Sequence, residues 1–108
     1  MATLENKAGN FVEPTPESAS KALAAIQLPA DLQASDSDPE GADSYPIVTY
    51  TWLMAYKKYD DPNEAQAIKD VIEYGLNDGQ KLSEKLGYVP LPKEVVSRVE
   101  AAANQMQS

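Results

Sequence analysis

The chain has 108 residues, 43% hydrophobic and 24% charged, with 17 acidic against 9 basic side chains and a formal charge of -8. That length allows one small domain or part of one, and the acidity disfavours nucleic acid and anionic membrane surfaces as partners. Cysteine and histidine are both absent, which excludes disulfides, thiolate metal sites, cysteine nucleophiles and imidazole chemistry.

No apolar run approaches the roughly 20 residues that span a bilayer. Residues 1–6 carry neither a basic nor an apolar region, so no export signal is expected in this chain. Ala2-Thr3-Leu4-Glu5-Asn6 and Asn10-Phe11-Val12-Glu13 flank Lys7-Ala8-Gly9, which reads as a small hairpin or as two extended pieces around a turn. Thr15-Pro16-Glu17-Ser18 is a helix start, with Thr15 as N-cap and proline at the first position, where its missing N–H costs nothing. Ala19, Ala22, Leu23 and Ile26 fall at helical spacing before Pro29 ends the run. Residues 34–44 concentrate Ser, Asp, Pro and Gly and read as a loop dividing the chain.

After that loop, residues 47–56 are dense in β-branched and aromatic side chains and too apolar for a strand wetted on one face, so a central strand is expected there. Asp60-Asp61-Pro62-Asn63-Glu64 opens a second helix, with Ala65, Ile68, Val71, Ile72 and Leu76 as its apolar face. Asn77-Asp78-Gly79 lets it break before further turns through Leu82 and Leu86, ended by Gly87 as a left-handed cap. Residues 88–92 are extended because of their prolines, and a last helix from about Pro92 carries Val95, Val96, Val99, Ala103 and Met106.

Several of these strings together resemble one family. Tyr45-Pro46-Ile47-Val48-Thr49-Tyr50-Thr51-Trp52-Leu53, Tyr56-Lys57-Lys58, Asn77-Asp78-Gly79-Gln80-Lys81 and Leu86-Gly87-Tyr88-Val89-Pro90-Leu91-Pro92 look like the end of periplasmic phosphate-binding proteins of ABC-type uptake systems. Glu5-Asn6-Lys7-Ala8-Gly9-Asn10-Phe11-Val12-Glu13-Pro14 is similar to that family too, and the likeness runs from about Thr3 to Ala103.

The resemblance implies an α/β chain: the C-terminal portion of a type II periplasmic-binding-protein fold, with few strands and three to four helices. Residues 1–44 would be a remnant of the second lobe, with one helix and the acidic loop. Residues 45–108 would be a hinge strand and C-terminal helices completing the first lobe. Ser44, Tyr45 and Pro46 mark the expected hinge or cleft. The implied ligand is inorganic phosphate, the implied partner an ABC permease and the implied location the periplasm. The family's anion contacts come from earlier segments, so no phosphate-binding residue carries over, and the sole arginine, Arg98, matches no binding motif.

The residues also admit other chemistry, each weighed against a plainer reading. Asp60, Asp61 and Glu64 suggest a cation site or simply helix capping, and capping explains their order better. Asp36, Asp38, Glu40 and Asp43 lack the spacing of a calcium loop. The helix start at Thr15 to Ser18 offers N–H groups to an anion, opposed by Glu13 and Glu17. Tyr45, Tyr50, Trp52 and Tyr56 suit either a ligand cleft or core packing. Asp70, Glu73 and Asp78 beside Lys69 read as a solvated face rather than an acid-base pair. No catalytic residue, metal or cofactor is therefore expected, and neither nucleic acid nor membrane insertion. A second functional reading is a non-transport interaction or structural remnant that self-associates through its apolar strand.

Overall fold

The computed structural model describes residues 1–108 as two compact units, Met1–Trp52 and Leu53–Ser108. In the first unit β1 (Leu4–Glu5) pairs antiparallel with β2 (Phe11–Val12), Leu4 opposite Val12 and Glu5 opposite Phe11. Gly9 closes the turn between them at φ +81, where a β-carbon would be strained. The hairpin reading of this stretch therefore holds over its extended alternative.

Helix α1 (Pro16–Ala25) starts as its sequence dictates. The Ser18 N–H donates to Thr15 Oγ1 at 3.1 Å and the Thr15 N–H donates to Ser18 Oγ at 3.0 Å, a reciprocal capping box with serine in the usual glutamate position. Ser18 Oγ also donates to the Glu13 carbonyl at 2.6 Å, which fixes the entry of the chain into the helix. Removing the Thr15 hydroxyl orphans one end of this box. Thr15→Ala is expected to cost the first unit about 1 kcal/mol in denaturant unfolding, with Thr15→Ser close to wild type. The helix buries Ala22 and Leu23, and with Ile26 and Tyr50 these form the small apolar core of the first unit.

The second unit opens with α2 (Pro62–Leu76), whose N-cap Asp61 accepts the Asn63 N–H at 2.8 Å. Two short 3-10 turns follow, Asp78–Leu82 and Glu84–Leu86, and Gly87 ends them in the left-handed conformation at φ +81. Gln80 fastens the proline-bearing link that comes next, its Oε1 accepting the Leu91 N–H at 2.8 Å. Helix α3 (Lys93–Asn104) closes the unit. Tyr59, Ala65 and Met106 form its core cluster, with Ile68 and Ile72 packed against it, and Leu76 and Val95 are also buried. Val71, assigned to the apolar face by spacing, is instead exposed.

The central strand expected over residues 47–56 does not form. No main-chain hydrogen bond joins these residues to any other main chain. Strand formation needs a neighbour to exchange N–H and C=O bonds with, and this chain brings none alongside. The side chains show the same lack of company, since only Tyr50 of the run is buried while Ile47, Leu53, Met54 and Tyr56 are exposed. What the structure supports of the fold class is three α-helices and one two-stranded sheet, compatible with part of an α/β domain. None of the helices is long and apolar enough to cross a membrane.

Candidate functional site

The residues singled out as a hinge or cleft lie in the first unit, around a side chain that sequence reasoning passed over. Asn6 is almost fully buried at 5% exposure, and its Nδ2 donates towards three carbonyls, those of Gly41, Ala42 and Ser44, at 2.9–3.1 Å. Its Oδ1 accepts the N–H groups of Ala8 and Asn10 at 3.1 and 3.0 Å. One amide thus ties the hairpin turn to the acidic loop. The signal for it was local and weak: an asparagine followed by a Gly-containing turn satisfies its own main chain, but nothing in the string announces the loop carbonyls more than thirty positions away.

Ser44 sits at the centre of this knot with 2% exposure, beside the fully buried Pro39. Its Oγ donates to the Glu40 carbonyl at 2.8 Å and its N–H to the Gly41 carbonyl at 3.2 Å. The Tyr45 N–H donates to the Ser18 carbonyl at 3.2 Å, its phenol to the Ala2 carbonyl at 2.9 Å, and the Pro46 carbonyl accepts the Asp38 N–H at 3.0 Å. Rotation about the main chain at Ser44, Tyr45 and Pro46 would require breaking these bonds. Around the rim, Lys7 pairs with Glu40 and Lys21 with Asp43. The hydrogen bond and then the charge of Glu40 hold the Lys7 ammonium above its ordinary value.

A cleft of about 340 Å³ opens beside this knot and includes the start of α1. Thr15, Ser18 and Lys21 face it, but so do Glu13, Glu17 and Asp43. The Ser18 N–H is already taken by the Thr15 hydroxyl, and the one ammonium is paired with Asp43 at 2.7 Å. Three carboxylates against one neutralised lysine make a negative field, which repels an anion.

Tyr50 and Trp52 belong to the same unit, Tyr50 buried and Trp52 partly exposed. The Tyr50 phenol donates to the Leu23 carbonyl at 2.6 Å, the Trp52 indole donates to the Leu32 carbonyl at 3.0 Å, and the two rings meet edge to face at 6.4 Å. Burial pushes the Tyr50 hydroxyl above its ordinary value. The folded state favours the protonated phenol, so the stability it contributes is complete below the ordinary tyrosine value of about 10 and is lost as pH rises through the raised one. Unfolding midpoints of the wild type are therefore expected to fall more steeply above about pH 10 than those of Tyr50→Phe.

In the second unit, the carboxylates noted in sequence do gather. Asp70, Glu73, Asp78 and Glu100 line a cleft of about 550 Å³. Their polar contacts are ordinary surface ones: Asp70 accepts from Gln66 at 2.7 Å, and Asp78 from Lys81 at 2.6 Å. The Lys81 hydrogen bond and charge hold the Asp78 carboxyl below its usual range. No group of three or more histidine, cysteine or carboxylate side chains is arranged to hold a metal. Asp60, Asp61 and Glu64 are all exposed, and Asp61 serves as the N-cap of α2. Arg98 lies on α3, in neither of these clefts.

Comparison with known proteins gives this scaffold a context. No protein-family model matches the chain. It is 31% identical over 102 residues to the phosphate-binding protein PstS of Pasteurella multocida, a match covering 93% of this chain and 30% of that protein. It is 37% identical over 108 residues to the PstS of Methanocaldococcus jannaschii, covering 88% of this chain and 28% of that protein. Against phosphate-binding protein PstS 2 of Mycobacterium tuberculosis the identity is 31% over 111 residues, covering 96% and 30%. The chain thus spans about 30% of the length of the curated relatives it matches.

Proposed function

In sequence the chain is part of the phosphate-binding protein family, and on that premise we propose that it supplies scaffold, not anion ligands, to a phosphate-binding module. It corresponds to the C-terminal third of such a protein. The module it serves is a periplasmic solute-binding protein that captures inorganic phosphate and hands it to an ABC permease. The observation that carries the division of labour is the chemistry of the clefts: each of those described above is lined by carboxylates, and the helix start that would suit an anion is already capped from within. A bound anion must exchange its hydration for donors, and without them its burial is prohibitive. The module binds and releases its ligand without chemistry, and its relatives are named as binding proteins.

Two titrations test this. The isolated chain, titrated calorimetrically with inorganic phosphate at low salt and with sulfate as control, is expected to show no phosphate-selective heat at affinities tighter than about 1 mM. A hybrid in which this chain replaces the matching segment of the Pasteurella multocida protein is expected to bind phosphate in preference to sulfate. Selective binding by the chain alone would reveal a ligand set within it, and a folded hybrid that ignores phosphate would remove the chain from this function.

A further inference from the structure

Helix α2 ends at an asparagine whose main chain is neither helical nor extended. Asn77 lies at φ -111 and ψ -91, and the N–H of the next residue, Asp78, donates no hydrogen bond. A main-chain nitrogen attacks the side-chain amide of the asparagine before it from the Cβ side, because the product is a nearly flat five-membered imide. For an L residue that eclipsed arrangement lies at ψ of about -120°, whereas a helical residue sits at about -42° and an extended one at about +135°. Asn77 is thus held near the attacking geometry, and both it and Asp78 are exposed to the water that would open the imide. The other four asparagines are placed differently. Asn6 is buried in its knot, and the Lys7 N–H that follows it is taken by Asp38 Oδ1 at 2.9 Å. The peptide after Asn10 is pinned where its carbonyl accepts the Asn6 N–H at 2.8 Å, and Asn63 and Asn104 lie within α2 and α3.

We propose that Asn77 is a site of spontaneous deamidation, which puts a further negative charge and a loosened joint at the end of α2 as the protein ages. The Asp78 nitrogen bonds to Asn77 Cγ, the Cγ–Nδ2 bond breaks, and Nδ2 leaves as ammonia with the proton that the Asp78 nitrogen gives up. Water then opens the imide at either carbonyl, leaving aspartate or, with the chain rerouted through the side chain, isoaspartate. Nothing is oxidised or reduced. Asp78 itself precedes a glycine, yet its carboxylate is paired with Lys81 at 2.6 Å and, ionised, is a poor electrophile. The conversion removes a tie between helices, since Asn77 Nδ2 donates to the Glu73 carbonyl at 3.0 Å and to Glu100 Oε1 on α3 at 3.4 Å. A carboxylate takes its place in the cleft of Asp70, Glu73, Asp78 and Glu100, where like charges repel. The start of α2 and the end of α3 are fastened separately. Lys58 and Gln107 form an isolated parallel bridge there, in which the Tyr59 N–H donates to the Gln107 carbonyl and the Gln107 N–H to the Lys57 carbonyl, both at 2.9 Å, beside the core cluster of Tyr59, Ala65 and Met106. Loosening is therefore confined to the last turn of α2.

The 108-residue protein, and the hybrid described above that carries the same residues, are kept at neutral pH and physiological temperature while each asparagine is followed by peptide mass mapping with isoaspartate detection. Parallel samples are unfolded in urea. The expected result in both folded proteins is a gain of one mass unit at Asn77 at least tenfold faster than at Asn6, Asn10, Asn63 or Asn104. Relative to urea, folding is expected to slow those four at least tenfold and Asn77 less than threefold. Asn77→Gln, whose longer side chain would have to close a six-membered ring, is expected to abolish the signal at this position. Asn77→Asp, which supplies the aspartate product directly, is expected to speed amide exchange at Gly75 and Leu76 at least threefold while leaving Tyr59 and Gln107 unchanged. Protection of Asn77 by folding as strong as that of the other four would overturn the site. So would isoaspartate without a mass gain, which places the event at Asp78, or a signal that vanishes in the hybrid. Exchange in Asn77→Asp equal to wild type would overturn the loosened joint.

Discussion

Asn6→Ala is expected to lower the stability of the first unit by about 3 kcal/mol, a larger loss than most single substitutions produce. Asn6 Nδ2 has two hydrogens serving three carbonyls, while Oδ1 accepts two main-chain N–H groups. Alanine leaves those groups without partners at a site with 5% exposure. Water can enter to satisfy some of them, which keeps the expected loss below the sum of five separate bonds. Asn6→Asp tests the direction of the bonds, because a carboxylate still accepts but cannot donate and would face three carbonyl oxygens. It is expected to be at least as damaging as alanine. The single tryptophan, Trp52, belongs to this unit and bonds to Leu32, so its fluorescence in urea reports the transition directly. A midpoint corresponding to less than about 1 kcal/mol would show that the loop is held by other means.

Tyr59→Ala should be comparably severe in the second unit, by about 3 kcal/mol or more. Tyr59 is buried in a core cluster whose other two buried members are Ala65 and Met106, so its ring is the largest apolar body there. It also meets the Tyr56 ring edge to face at 5.8 Å. With so few neighbours to relax inward, most of the cavity remains. Tyr59→Phe separates the ring from the hydroxyl that accepts the Tyr56 N–H, and it is expected to cost only about 1 kcal/mol. Amide exchange in α2 and α3 is the appropriate readout, since Trp52 lies outside this unit. Unchanged protection in Tyr59→Ala would mean that the unit is held by its helices alone.

The parts of this fold legible from sequence are those whose causes are local. Thr15-Pro16 and Asp61-Pro62 start their helices because a cap and the residues it serves lie within one turn of each other. Gly87 is likewise a local stop. Residues 47–56 misled for the opposite reason: their composition states how well they would suit a buried sheet, and a sheet requires partners that composition cannot supply. The apolar face of α2 was half legible, with Ala65 and Leu76 buried and Val71 exposed. Helical spacing gives a stripe but not how much of it a neighbour covers. The knot around Asn6 escaped because its bonds join residues 35 to 38 positions apart. Ser44, Tyr45 and Pro46 were noticed through family likeness alone, and their bonding became visible only in three dimensions.

The bridge between Lys58 and Gln107 carries a consequence for the order in which the molecule is assembled during synthesis. Every residue the first unit requires has emerged once Trp52 is clear of the ribosome, and its longest ties, from Asn6 to Ser44, can then close. The second unit cannot finish so early. Its core awaits Met106 and its ladder awaits Gln107, while Leu53, Met54 and Tyr56 have been in water since they emerged. Domains fold as they emerge, and late-closing ones leave apolar chain exposed to other molecules meanwhile. In a nascent chain, this interval is the one in which a chaperone would find most to hold.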